Sequence, residues 1–382
     1  MIAYASTDLD NLEIRQAADL ALRQQCTTPE EQAAVREKFP VNFYTPNPVI
    51  RIGLILLTLL IVLVALGLVA LMTWHTSDDT IIRTTVIIFS FGCYAALEGF
   101  VRTRHFYRAG VDDALLWSSM FLLGAAIIVN TRMPESAACL IALALCLYAT
   151  LRFADVLAAA GALLSLLLMF FFLLSGEGKL VTPVVLALIS IGAYVLARWL
   201  GKQEQFRYYR LCCTVWEVLS LLTLYAALNY YVINEVGRNI YQLDEKQTGS
   251  NLQLFWFTTV LIPLVYIFFG VRKKDAILLR CGLLLLAAII GTIRYYHAVM
   301  PLEVAMVLAG IVMIGISWGL LRYLRTPRHG FTYQAPDDPA MLDKLNAESL
   351  LIAQTMVPAP PAKPGFQFGE GTGSGGGASG DY

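Results

Sequence analysis

The sequence predicts an all-α, polytopic membrane fold of about ten transmembrane helices, and three observations carry that prediction. The chain has 382 residues, of which 57% are apolar and 15% charged, and its mean hydropathy is +0.63. A water-soluble domain carries about 25% charged and 45–50% apolar residues. The apolar excess falls in runs long enough to cross a bilayer core about 30 Å thick at 1.5 Å per residue. Lys and Arg gather in alternate connections between those runs.

The first 48 residues read as a soluble helical hairpin. Between Leu9 and Gln25 the apolar residues Leu9, Leu12, Ala17, Leu20 and Leu22 recur at helical spacing beside Arg15, Asp19 and Arg23. Thr28-Pro29-Glu30-Glu31 then supplies an N-cap, a proline at the first helical position and a glutamate at N3, the start of a second helix ending near Lys38. Such a hairpin is too short to bury a core. It has to dock on the membrane portion, on a second copy or on a protein partner.

The membrane portion covers residues 49–325. Ten runs qualify as spans: 49–74, 81–101, 114–130, 136–151, 156–175, 180–200, 211–233, 252–271, 276–296 and 302–321. The first, interrupted only by Arg51, reads as a span rather than a cleavable signal. The third and fourth are the shortest, and a re-entrant pair there reduces the count to eight without moving the chain ends to opposite sides. The second, fourth, sixth and eighth connections hold twelve bases, among them Arg102, Arg104, Arg108, Arg152, Arg198, Lys202, Lys273 and Lys274; the odd connections hold six. Cytoplasmic loops carry the excess, so both termini are expected in the cytoplasm of an inner (plasma) membrane.

Residues 326–356 form a short cytoplasmic segment, with a helix expected from Pro339 to about Met356 capped by Asp338. Residues 357–382 are rich in Pro and Gly and read as a disordered tail.

Composition also excludes function classes. Lys plus Arg and Asp plus Glu are 28 each, so no net basic field gathers nucleic acid. Seven cysteines in a chain this long are too sparse for a disulfide scaffold. His75, His105, His297 and His329 are scattered, and Cys212 and Cys213, adjacent on a helix, point about 100° apart. No metal, nucleophile or phosphate-loop pattern occurs, so no metal, no cofactor and no enzymatic activity are expected.

Ionisable residues inside spans are costly and mark candidate sites. Two carboxylates qualify. Glu98 stands four residues before Arg102, an order that favours an ion pair within one helix. Glu217 lies seven residues after Arg210 with no base one turn away, where it is suited to carrying a proton or to a hydrogen bond across helices. Both belong to the cytoplasmic half and are expected to be able to line one inward-facing cavity. Their shared side also argues against a five-plus-five inverted repeat, which would send them to opposite faces. Three helix entrances repeat a base, then Asp, then an apolar run: Arg108 to Asp112-Asp113, Arg152 to Asp155, and Lys273-Lys274-Asp275. Asp is read there as a helix N-cap and the bases as topology signals.

The hairpin with its Thr28-Pro29-Glu30-Glu31 start, followed by spans opening on Arg51-Ile52-Gly53-Leu54, resembles multi-pass bacterial inner-membrane proteins grouped as domains of unknown function. That resemblance implies a bacterial inner-membrane protein and supplies no activity. The ending from Gly375 to Tyr382 is similar to the Gly-rich tails of some membrane-anchored TPM-domain proteins, although no such domain precedes it here. The functional expectation is a non-enzymatic membrane protein that assembles with a partner. The alternative is a secondary transporter or proton-coupled permease using Glu98 and Glu217.

Reporter fusions test the threading. A fusion after Gly330 should report cytoplasm, and one inserted within 234–251 should report the exterior. Finding both on one side overturns it.

Overall fold

The structure, a computed structural model, describes residues 2–73, 78–128, 133–174, 181–233 and 252–296, with isolated helical positions from Val304 to Arg322. The tenth expected span therefore lies largely outside the described residues. The expected helix at 339–356 and the tail at 357–382 lie wholly outside them, within a separate unit that begins at Leu324.

Two short helices open the chain, α1 (Ser6–Arg23) and α2 (Pro29–Lys38). The capping box forms as the sequence requires: the Thr28 hydroxyl accepts from the Glu31 N–H at 3.3 Å, and the Glu31 carboxylate accepts from the Thr28 N–H at 2.9 Å. Nine long α-helices follow among the described residues, with a 3-10 turn at Glu204–Tyr209. They are α3 (Pro48–Thr73), α4 (Asp79–Arg104), α5 (Val111–Ile128), α6 (Glu135–Phe153), α7 (Val156–Leu174), α8 (Val181–Gly201), α9 (Arg210–Leu228), α10 (Leu252–Lys273) and α11 (Ala276–Tyr296). Described segments of eight of them are long and apolar enough to cross a membrane, so the chain has the build of an α-helical membrane protein. The two short spans are continuous helices of 18 and 19 residues, each long enough to cross rather than to turn back.

After α3 the helices pack as four successive hairpins, α4–α5, α6–α7, α8–α9 and α10–α11. Their turns share one end of the bundle, termed here the turn end, and these are the base-rich connections. Two turns are built alike. Ala154 closes α6 in the left-handed conformation at φ 51°, and Asp155 then caps α7 by accepting from the Ala158 N–H at 2.7 Å. Lys274, at φ 55°, plays the first part after α10, and Asp275 caps α11 by accepting from Ile277 at 3.1 Å. The first base-Asp motif, Arg108 to Asp112-Asp113, differs from its expected reading. Asp112 lies inside the first turn of α5 and accepts from the Gly110 N–H at 2.9 Å, while Asp113 pairs with Arg51. Here α3 crosses so closely that the Arg51 backbone, rather than a simple helix cap, shapes the turn.

Inside the bundle, packing relies on small residues and on hydroxyls that find carbonyls. Ala149, Ala158, Ala159 and Ala162 are fully buried where α6 and α7 meet. The Ser90 hydroxyl donates to the Ser119 carbonyl at 2.8 Å, the Trp216 indole N–H to the Ala159 carbonyl at 2.7 Å, and the Tyr266 hydroxyl to the Leu221 carbonyl at 3.1 Å. Each bond ties one helix to another where water is absent.

The N-terminal hairpin docks on the turn end of its own chain. The Ala3 N–H donates to the Arg152 carbonyl at 2.8 Å and the Tyr44 N–H to the His105 carbonyl at 3.1 Å. Asp10 takes Arg207 and the Tyr208 hydroxyl, both at 2.6 Å, and Glu13 lies 3.7 Å from Arg210. These ties reach three of the four turns, which places those turns at one end. Of the three docking surfaces left open by the sequence, this is the membrane portion itself.

Two substitutions at these turns should have opposite signs. Gly110 has φ 98°, and a Cβ there would lie 2.5 Å from the Arg51 carbonyl oxygen; Gly110→Ala should cost about 2 kcal/mol. Ala154→Gly should stabilise by about 1 kcal/mol by relieving a left-handed non-glycine residue. Thermal unfolding in detergent checks both.

Candidate functional site

Three groups of ionisable side chains lie toward the turn end. The first surrounds Glu98 on α4. Its Oε1 accepts from Arg152 Nε and Nη2 at 3.0 and 2.8 Å, and its Oε2 from Arg152 Nη2 at 3.1 Å. The Tyr94 hydroxyl donates to Oε1 at 2.9 Å and is itself 2.6 Å from the Tyr148 hydroxyl. Arg102 is there too, with Nε 3.3 Å from Oε2, but its side chain is 72% exposed against 27% for Arg152. The expected pair within α4 thus forms, yet the stronger partner comes from α6. Nothing in the spacing of Glu98 and Arg152, fifty-four residues apart, announces it. The available signal was an arginine at the end of a neighbouring span with a carboxylate at equal depth.

The second group surrounds Glu217 on α9. The side chain is half-buried. Among the described residues no hydrogen bond or ion pair reaches its carboxylate, although Arg198, Asp275 and Lys202 lie within electrostatic range. Arg198, at the end of α8, forms a close ion pair with Asp275 at the start of α11 and donates to the Tyr194 hydroxyl at 2.7 Å. Arg198 is therefore already engaged. Glu98 is held by Arg152, Arg102 and Tyr94 whereas Glu217 has no such partner among the described residues, and the pocket described next is lined by neither.

That pocket is the third group, unmarked as a unit in the sequence. Tyr4 closes it from the docked N-terminus, and Arg108, Asp112, Asp113 and Asp155 line it together with Leu97 and Phe153. The first and second base-Asp motifs supply its polar walls, brought together because the α4–α5 and α6–α7 turns abut. Arg51 enters from α3 and holds Asp113 with Nη2 at 2.6 Å and Nε at 3.1 Å. Burial raises the Asp155 carboxyl above the ordinary carboxylate range and Asp113 adds to this, while the Ala158 N–H, Arg108 and Arg51 pull it down. The Tyr4 phenol is likewise raised, first by burial and then by Asp112. Among the described residues no cluster of His, Cys, Asp and Glu has the geometry to hold a metal ion.

No protein-family model matches this chain, and no characterised protein and no solved structure is significantly similar to it.

The Glu98 group makes a differential prediction. Arg152→Ala should destabilise the bundle by about 2 kcal/mol, because a largely buried carboxylate loses its forked donor. Arg102→Ala, which removes an exposed partner, should cost less than about 0.5 kcal/mol. Melting of the two variants side by side decides whether α6 or α4 supplies the partner that matters.

Proposed function

We propose that this protein is a non-enzymatic, multi-pass protein of a bacterial inner membrane, with its turn end and both termini in the cytoplasm, that acts by assembling with a protein partner. The observation that carries this reading is the disposition of α2. It buries none of its residues, and it is ordered by its own capping box and held by Arg36 and Gln32 on Asp19 of α1. Held on one side by α1 and burying no residue, α2 presents Glu30, Glu37 and Lys38 outward. The charge pairs support the same reading, since Glu98, Asp113 and Asp275 are occupied in holding helices together. The surplus of Lys and Arg in the turns supports the orientation.

One observation favours the alternative, a proton-coupled transporter: Glu217 is half-buried with no hydrogen bond among the described residues. Glu98, the second carboxylate of that reading, is saturated by Arg152, Arg102 and Tyr94 and has no lone pair to spare for a passing proton.

Two measurements separate the readings. Co-purification from native membranes should yield a partner that is lost when Glu30, Glu37 and Lys38 are replaced by Ala, with melting unchanged. In reconstituted vesicles Glu217→Gln should behave as wild type, since it removes only the titratable proton. A pH-driven flux that Glu217→Gln abolishes would instead establish transport.

A further inference from the structure

The pocket beneath Tyr4 holds chemistry that no part of the assembly reading uses. Its carboxylates come from two different turns: Asp112 and Asp113 from the first, Asp155 from the second. Asp112 is 3% exposed. Facing them are the guanidiniums of Arg51, from α3, and Arg108, from the α4–α5 turn, so three carboxylates meet two fixed positive charges. Arg51 is committed to Asp113. Arg108 sits 5.6 Å from the Tyr107 ring centroid and, among the described residues, forms no ion pair. By side-chain charge the pocket therefore carries one negative charge more than positive, an arrangement that burial disfavours unless a cation or a proton supplies the difference.

A second, independent feature points into the same space. Tyr4 is 8% exposed, wedged between Tyr107 and Phe153 with ring centroids 4.9 and 6.4 Å away, and its side chain lines the pocket. Among the described residues its hydroxyl has no hydrogen-bond partner. The residue is buried but its unpartnered side chain opens on the pocket, so its position calls for something polar there. A metal ion does not suit the geometry, as found above. A proton does.

We propose that the pocket beneath Tyr4 is a proton-binding site, in which the Asp112–Asp113–Asp155 group takes up one proton and thereby sets how firmly the N-terminal hairpin is seated. The proton passes from bulk water at the turn end to a carboxylate oxygen, forming one O–H bond and taking the pocket from one negative charge to neutral. Asp155 is the favoured acceptor, because Asp113 is held by Arg51 and Asp112 already accepts from Gly110. Its own Oδ1 accepts from Ala158, which leaves the other oxygen for the proton. With the pocket neutral, the apolar lid of Tyr4, Leu97 and Phe153 covers no net charge. With it ionised, the lid covers a charge that water would solvate better, and the hairpin loosens.

The other groups that face Asp155 or the seat are accounted for. From α6 come the Cys146 thiol and the Arg152 backbone, whose carbonyl receives the Ala3 N–H; Cys212 comes from α9, with its thiol donating to the Ala154 carbonyl at 3.5 Å; His105 is exposed at the end of α4. His105, exposed beside the first turn, is the group to control for. Linkage fixes the sign. Asp155 binds its proton more tightly when the hairpin is seated than when it is open, so seating is strongest in acid and weakens as pH rises through the seated Asp155 value.

Hydrogen–deuterium exchange on the full chain in nanodiscs tests this, with rates corrected for intrinsic pH dependence. The Ala3 and Tyr44 amides report seating, because they donate to the Arg152 and His105 carbonyls. Across a scan from pH 4 to pH 8 their protection should fall about tenfold in all, while the amides of α6 and α7 remain unchanged. Asp155→Asn should flatten the profile, and His105→Gln should leave it as in wild type. A flat wild-type profile overturns the proposal without any variant. So does a slope that survives Asp155→Asn or disappears in His105→Gln. If Asp155→Asn fails to insert, Asp112→Asn, which lowers the same excess charge, takes its place under the same criteria.

Discussion

Placing charge at the rim of a lipid-facing bundle is expensive, and the way this chain meets that expense organises the molecule. Each hairpin turn needs bases to hold it at one face of the membrane and a carboxylate to cap the returning helix. Left to itself, each turn would leave charges half-desolvated. They are instead shared between neighbours: Arg51 of α3 with Asp113 of the first hairpin, Glu98 of the first with Arg152 of the second, Arg198 of the third with Asp275 of the fourth. The second and third hairpins join through Trp216 on Ala159 and the Tyr209 hydroxyl on the Leu151 carbonyl at 2.6 Å. Lateral order is thus written in polar contacts, which are specific, because apolar contact with a neighbouring helix differs little from apolar contact with lipid.

The outward surfaces fit this division of labour. Leu56, Leu60, Leu63 and Val64 on α3 are all more than half exposed, as are Leu188 and Val195 on α8. In water such faces would aggregate; in a bilayer they are the solvent-exposed surface. The buried interior is correspondingly thin, made of alanines and hydroxyl residues that let helices approach closely enough for ties such as Ser190 to Thr223, at 3.1 Å, to form.

The N-terminal hairpin adds a second order of constraint. By fastening to three turns it couples hairpins that are otherwise linked only to their neighbours. Its aromatic wedge, Tyr4 with Phe43 and Tyr107, fills the space where the first two turns meet. A short helical pair without a core acquires one by borrowing the turns, and in doing so it encloses the carboxylates that those turns carry.

The sequence by itself determined the class of fold, the positions of the helices and the capping box at Thr28, because run length, periodicity and end signals are local properties of a chain in lipid or water. It also determined that Asp155 and Asp275 cap helices, since that bond closes within three residues. It marked Glu98 and Glu217 as costly, and paired Glu98 with Arg102, the partner that helical spacing allows. Only the tertiary structure decided that Arg152 is the stronger partner, that Asp112 shapes a turn while Asp113 holds Arg51, and that Tyr4 covers three carboxylates drawn from two turns. Those contacts join residues up to 198 positions apart, as Asp10 and Tyr208 show. Depth in the membrane is readable from one helix alone, whereas lateral neighbours depend on which hairpin lies beside which, and that choice is made by the sum of ion pairs and close packing across the whole bundle.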